Sequence, residues 1–296
     1  MTAVPVLFIE TDIQMDVDDV GALALAMMLE RQGLIRIAGV GVNTTSRWGA
    51  RAVETLKAAY GADFPVGVLR PLSDEVVETD YARLISDGAA DADWPDAAEL
   101  LRDVLAAAED RSVTVVSIGF YGNLVGFLSD GPDAADLVRG KVASTIVMGG
   151  LFPSGREFNF VEDARTTAEF LRLWPGVIDF IGQEVGNDVI TGRRLSDALG
   201  HDHPAAVAYR AYCGEGAGRP SWDLIAVYLA AHPEWAALRW SAPGEIDVRE
   251  SDGENHWVDA PGGRHRYATL AAAPEHVAVE LDEALVIDRA RERAEQ

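Results

Sequence analysis

Five carboxylates fall within ten residues near the start of the chain: Glu10, Asp12, Asp16, Asp18 and Asp19. Like charges this close repel strongly. A hard divalent cation held by several oxygens is the usual offset. A helix N-terminus near Asp18 and Asp19 would help, but it carries only about half a unit charge. The plainer alternative is a helix cap with solvated acids around it; capping by Asp accounts for one or two of the five. Two other chemistries fit less well. A phospho-aspartate enzyme wants an Asp-x-Asp pair and a downstream lysine, but Glu10 holds the first position and the only lysines are Lys57 and Lys141. An EF-hand loop needs Asp-x-Asp-x-Asp-Gly with Glu at the twelfth position, a spacing absent here.

These acids need elements to place them. Val4 to Ile9 is a short apolar run and reads as a buried parallel strand. The acids then lie at its carboxyl end, where open α/β sheets bind ligands. Val20 to Leu29 follows as a helix. Further strands are predicted at Ile35–Val42, Pro65–Leu69, Val113–Ile118, Lys141–Met148 and Val177–Ile181. Between them Trp48–Tyr60, Glu99–Ala108 and Ala164–Trp174 have helical spacing, Asn123–Leu128 opens another helix, and residues 72–98 read as irregular. The alternation predicts an α/β fold: an open, mostly parallel sheet with helices on both faces. Asp247 to Leu270 reads as a C-terminal hairpin, with turn signals at Asp252-Gly253 and Gly262-Gly263, and an amphipathic helix over about Pro274–Arg293 follows. No repeat or low-complexity linker divides the chain, so residues 1–296 are read as one domain.

The chain carries 48 acidic against 25 basic residues, a net charge of -23. Such a surface disfavours nucleic acid and anionic membranes and leaves a neutral small molecule compatible. A compositional bias with mostly solvated charges explains the acidity more simply than function does. The single cysteine, Cys213, excludes an internal disulfide and reads as a small buried residue. No basic-plus-apolar leader and no run of membrane length is present, so a cytoplasmic location is expected.

Three further segments carry polar groups at strand or helix ends. They are Ser117-Ile-Gly-Phe-Tyr-Gly-Asn123; Val147-Met-Gly-Gly150 with Glu157-Phe-Asn159 and Asp163; and Ser221-Trp222-Asp223. Together with the acid cluster, and in this order, they resemble the signature of the inosine-uridine-preferring nucleoside hydrolase family. The resemblance implies hydrolysis of a ribonucleoside to ribose and free base, a step in purine or pyrimidine salvage. It implies Ca2+ as cofactor, bound by the carboxylates of Asp12, Asp19 and Asp223 and the backbone carbonyl of Ile118. Asp18 would be the base that takes a proton from calcium-bound water. Glu157 and Asn159 would hold the ribose hydroxyls, and Met148 would pack against the sugar. Asp16, Asn43 and Trp222 complete the expected substrate contacts. A homo-oligomer, dimer or tetramer, is expected by analogy.

The sequence departs from the family pattern in three places. The acid loop is two residues longer, which leaves Asp16 as a rival to Asp18 for the base; the adjacent pair Asp18-Asp19 keeps the base-then-ligand order. Trp222 stands where many members have a His that protonates the leaving base, and indole is no acid at neutral pH; it could instead stack on a base. His201, His203, His256 and His265 all read as surface residues. The stretch from Gly150 to Glu157 lacks the asparagine that often meets the 5'-hydroxyl, leaving Ser154 or Arg156 for that place. Two alternatives stand beside the leading function: hydrolysis of another ribosyl compound, and a non-catalytic nucleoside- or ribose-binding homologue.

Overall fold

A computed structural model describes residues 4–77 and 79–295. Five strands alternate with helices in the first half: β1 (Val6–Thr11), β2 (Arg36–Val42), β3 (Val66–Val68), β4 (Val113–Ile118) and β5 (Val142–Met148). The rest follow as β6 (Ser154–Gly155), β7 (Asp179–Ile181), β8 (Ile190–Thr191), β9 (Arg219–Pro220), β10 (Leu238–Trp240), β11 (Gly244–Val248), β12 (Asn255–Asp259) and β13 (Arg266–Leu270). The main sheet has the order β10-β13-β7-β5-β4-β1-β2-β3. All its pairs are parallel except β10 with β13.

Helices cover both faces, so the central strands are mostly apolar and buried, with only a few polar members such as Glu10, Thr114 and Ser117. Successive residues still serve opposite sides. Leu7 and Ile9 pack into one core and Phe8 into the other; Val116 and Ile118 separate from Val113 and Val115 in the same way. The parallel register sets Thr11 level with Val42 and with Ile118. The segments that follow β1, β2 and β4 therefore leave the sheet side by side.

The predicted helices form where the apolar spacing placed them. Ser46 caps Arg47–Tyr60 by accepting from the Trp48 amide, and Asp96 caps Ala97–Ala107 by accepting from the Ala98 amide. The final helix runs Pro274–Glu295 and buries Val277, Leu281 and Leu285, spaced by one turn, against the core that holds the helix Asp18–Arg31. Within the segment read as irregular, Tyr81–Ile85 forms a short helix.

The C-terminal hairpin is smaller than predicted. It joins β11 to β12 and turns at Asp252-Gly253. After Gly262-Gly263 the chain leaves it, and β13 enters the main sheet parallel to β7. Arg266 grips Asp179 through two bonds of 2.6 and 2.8 Å, and the Tyr267 ring stacks on Phe152 at 4.7 Å. These long-range contacts outweigh the local turn signal.

Candidate active site

Two helices meet with their N-termini together at the carboxyl edge of the sheet. Asp18 and Asp19 form the first turn of Asp18–Arg31, and Asp223 lies in the first turn of Trp222–Ala231. The helices pack closely because Gly21 has no side chain: a Cβ there would sit 2.9 Å from Leu224 Cδ1 and 2.3 Å from Tyr209 Oη. Neither Val17 nor Ser221 caps its helix with a side chain. Instead Asp18 Oδ2 accepts the amides of Trp222 and Asp223, each at 3.1 Å. One carboxylate from the first helix thus fixes the start of the second, and both positive helix ends face the acids.

Carboxylate oxygens of Asp18, Asp19 and Asp223 lie within 4.8 Å of one another, and all three residues are buried. Asp12, just beyond β1, is buried beside them. Gly119 makes room for it, since a Cβ there would come 2.5 Å from Asp12 N and Oδ1. Thr11 Oγ1 donates to Asp19 Oδ1, while Asp19 Oδ2 is buried without a hydrogen-bond partner among the described residues. Burial raises all four carboxyls well above the usual carboxylate range, and their mutual repulsion adds to it. A buried, oxygen-only, self-repelling set with an unpartnered carboxylate oxygen suits a hard cation.

The loop between Asp12 and Asp18 holds an uncommon backbone. Gln14 has φ of 115°, in the left-handed region that side chains rarely adopt. Tyr81 clamps it: its hydroxyl accepts from Gln14 N at 2.8 Å and donates to the Asp16 carbonyl. The short helix in the segment read as irregular therefore shapes the acid loop.

Ten of the eleven predicted site residues line one cavity of about 300 Å³: Asp12, Asp16, Asp18, Asp19, Ile118, Met148, Glu157, Asn159, Trp222 and Asp223. That volume is at the low end for small-molecule sites. Glu157 holds both oxygens against backbone amides, accepting from Asn159 at 2.8 Å, Gly150 at 2.9 Å and Phe160 at 3.2 Å. Burial still lifts its carboxyl to about 7. Asn159 Nδ2 donates to the Met148 carbonyl at 3.3 Å, which leaves its Oδ1 for a ligand. Trp222 donates its indole N–H to the Gln183 carbonyl at 2.8 Å and to Asn187 Oδ1 at 3.2 Å. Its ring also fills the space a Cβ of Gly186 would need.

Asn43 stands apart from this cavity. It is buried, with Nδ2 on Glu10 Oε2 at 3.4 Å and Oδ1 accepting from Phe120 N at 3.1 Å. It ties the ends of β1, β2 and β4 together, and Asn123 Nδ2 joins the same Glu10 oxygen at 2.8 Å. Burial raises Glu10 to about 8 despite these donors. Glu10 is therefore a strut beneath the site, and Gly41 leaves space for its carboxyl.

Two histidines correct the sequence reading. His265 is only 2% exposed, and His203 is buried as well. His265 Nδ1 accepts from Ile178 N at 3.0 Å, a bond that requires the neutral ring, and burial lowers its pKa to about 4. His201 and His256 are exposed, and no histidine lines the cavity. Ser154 and Arg156 lie outside it too, Arg156 reaching Asp252 at 3.4 Å. Cys213 is half-buried. Sequence reasoning missed Thr11, Met15, Phe158, Gln183, Tyr212 and Arg219. Thr11, Met15 and Phe158 lay inside the segments already singled out, and Arg219 left its own signal as an arginine two residues ahead of Ser221 in a cation-poor chain.

A doubly covered parallel sheet with an acidic pocket at its carboxyl edge defines an α/β enzyme of the ligand-at-the-strand-ends class. The family model for inosine-uridine preferring nucleoside hydrolases matches residues 7–293, and the chain belongs to that family. It is thus an enzyme of nucleoside-hydrolase type, acting on small-molecule nucleosides. The fold is shared with a plant nucleoside hydrolase, PpNRh1, at 17% identity and a TM-score of 0.75, covering 96% of this chain and 99% of that one. An inosine-guanosine nucleoside hydrolase matches at 19% identity and 0.72, with the same coverage. The inosine-uridine preferring nucleoside hydrolase of Bacillus anthracis matches at 16% and 0.71, again covering 96% and 99%. No curated protein matches the sequence significantly. Among the described residues no helix is long and apolar enough to cross a membrane.

Proposed function

We propose that this chain hydrolyses the N-glycosidic bond of a ribonucleoside, releasing ribose and free base, with Ca2+ as its cofactor. The carrying observation is the convergence of Asp12, Asp18, Asp19 and Asp223, all buried, on one cavity. Asp12, Asp19, Asp223 and the Ile118 carbonyl would hold the ion. An all-oxygen cage built by the protein suits Ca2+ better than Mg2+, which keeps its waters. When bound, the cation would anchor the sugar diol and acidify the attacking water.

The protein's own groups do the rest. Asn159 Oδ1 is free to accept a ribose hydroxyl, and Met148 and Glu157 hold Asn159 in place. Positive charge grows on the sugar as the glycosidic bond breaks, and the surrounding carboxylates favour it. Asp18 takes the proton from water as it attacks the anomeric carbon. The helix amides of Trp222 and Asp223 orient its Oδ2, leaving Oδ1 for that proton. Water attacks opposite the leaving base without a covalent intermediate. A second reading exchanges two roles: Asp18 groups with Asp19 and Asp223 as a ligand would, so Asp12 becomes the base.

The test is release of ribose and base from a nucleoside panel with added Ca2+, by wild type, Asp18→Asn and Asp12→Asn. Turnover lost only with Asp18→Asn while Ca2+ still binds supports Asp18 as base. Turnover and Ca2+ binding lost together with Asp18→Asn, and turnover alone lost with Asp12→Asn, supports the exchange. Ca2+ and ribose binding without turnover on any substrate sinks the hydrolase reading. Residues 1–296 would act as one domain within a dimer or tetramer, which sedimentation can check.

A further inference from the structure

The cavity contains one cationic side chain, Arg219, among the residues that line it. Arg219 stands in β9 and reaches across to the acid loop. Its Nε donates to Asp16 Oδ1 at 2.9 Å and Oδ2 at 3.1 Å, and Nη2 also donates to Oδ2. The guanidinium carbon lies 5.1 Å from the centre of the Tyr212 ring and 5.2 Å from that of Trp222. Two aromatic rings and a bidentate carboxylate thus fix a planar cation whose orientation would otherwise be free. Its third nitrogen, Nη1, has no hydrogen-bond partner among the described residues.

No histidine lines the cavity, and the Trp222 N–H is committed to Gln183 and Asn187. The guanidinium lies over one side of the Trp222 ring.

Resting on the hydrolase reading above, we propose that Arg219 engages the departing base and stabilises it as an anion. The C1'–N bond breaks and its electron pair stays on the base nitrogen. An N–H of Arg219 donates a hydrogen bond to the negative charge that spreads over the ring. Water forms the new C1'–O bond and gives its proton to a carboxylate; solvent later protonates the base. Arginine does not surrender its own proton, so the contribution is electrostatic. Asp16 and the two rings hold the group in place beforehand, so little reorganisation is needed in the transition state.

The experiment compares kcat/KM for inosine and for 4-nitrophenyl riboside, whose leaving group is a stable anion unaided, in wild type and Arg219→Met. Both substrates are assayed on one preparation, so a smaller folded fraction cancels in the ratio. The expected result is a loss of about 100- to 1,000-fold on inosine, the usual effect of one oxyanion donor, and under about tenfold on the aryl riboside. Equal losses on the two substrates, or no loss on inosine, overturn the assignment of Arg219 and leave the hydrolase reading intact. Failure of wild type on every riboside overturns both.

Discussion

Replacing Asp18 by Asn should make the metal-free protein more stable while nearly abolishing its activity. Oxygens of Asp18, Asp19 and Asp223 come within 4.8 Å of one another. At an effective dielectric of about 20, two full charges at that separation repel by roughly 3.5 kcal/mol. Asp18 takes part in two of the three pairs. Proton uptake by the cluster relieves part of this, so we expect a gain of about 2 kcal/mol from removing one charge. For a domain of this size that raises Tm by about 3 °C. The amide keeps one oxygen for the Trp222 and Asp223 amides, so the second helix stays anchored. The sign with pH follows from burial. Folding raises the Asp18 carboxyl above its unfolded value of about 3.9, so the native state holds more protons than the unfolded one above that value. Stability of the metal-free wild type therefore falls as pH rises from about 4 through the folded pKa, and the variant should show a shallower fall. The assay is thermal unfolding in chelator at pH 5 and pH 8, beside turnover with Ca2+, where loss of a base costs about 100- to 10,000-fold. A variant no more stable than wild type in chelator at pH 8 would refute the repulsion argument. Activity within tenfold of wild type would refute the role of Asp18.

Thr11→Val removes the donor to Asp19 Oδ1 and the acceptor of Ile13 N; Ca2+ affinity by calorimetry should fall about 10- to 100-fold, and an unchanged affinity counts against Thr11 as the residue that positions Asp19. Trp222→Phe loses the bonds to Gln183 and Asn187, so it should cost about 1–2 kcal/mol of stability but less than tenfold in kcat on nucleosides; a hundredfold loss would mean that the indole N–H takes part in chemistry. His265 is lowered on folding to about 4 from 6.5, so the unfolded state takes up its proton first and stability is lost as pH falls between those values. That loss is on the order of 2–3 kcal/mol. Urea unfolding of wild type and His265→Asn from pH 7 to 4.5 should give wild type the steeper acid loss, and parallel curves would count against a neutral buried His265.

Much of the site was legible along the chain because its signals are local. A run such as residues 6–9 is apolar because both sheet faces are covered, and the acids that begin at Glu10 must then lie at the strand's carboxyl end. The segments after β4 and β5 follow buried parallel strands in the same way, so topology alone delivers Ile118 and Met148 to one edge. Hydrophobic spacing likewise located the helices that cover the sheet. Spacing does not say which side chain finishes beside which, and that is where tertiary structure decided. The pair Arg219–Asp16 spans 203 positions, and the capping of the second helix by Asp18 spans 204 and 205. Asn43 ends a strand as expected, yet Glu10 and the Phe120 amide draw it into a strut beside the cavity. His265 sits in a polar, turn-rich stretch that reads as surface, but β13 joins the main sheet and carries it into the core. A residue's type and local period set its tendency to be buried. Its partner is set by which distant segments close together, because charge pairing and hydrogen bonding gain their strength only once folding has removed water from both groups.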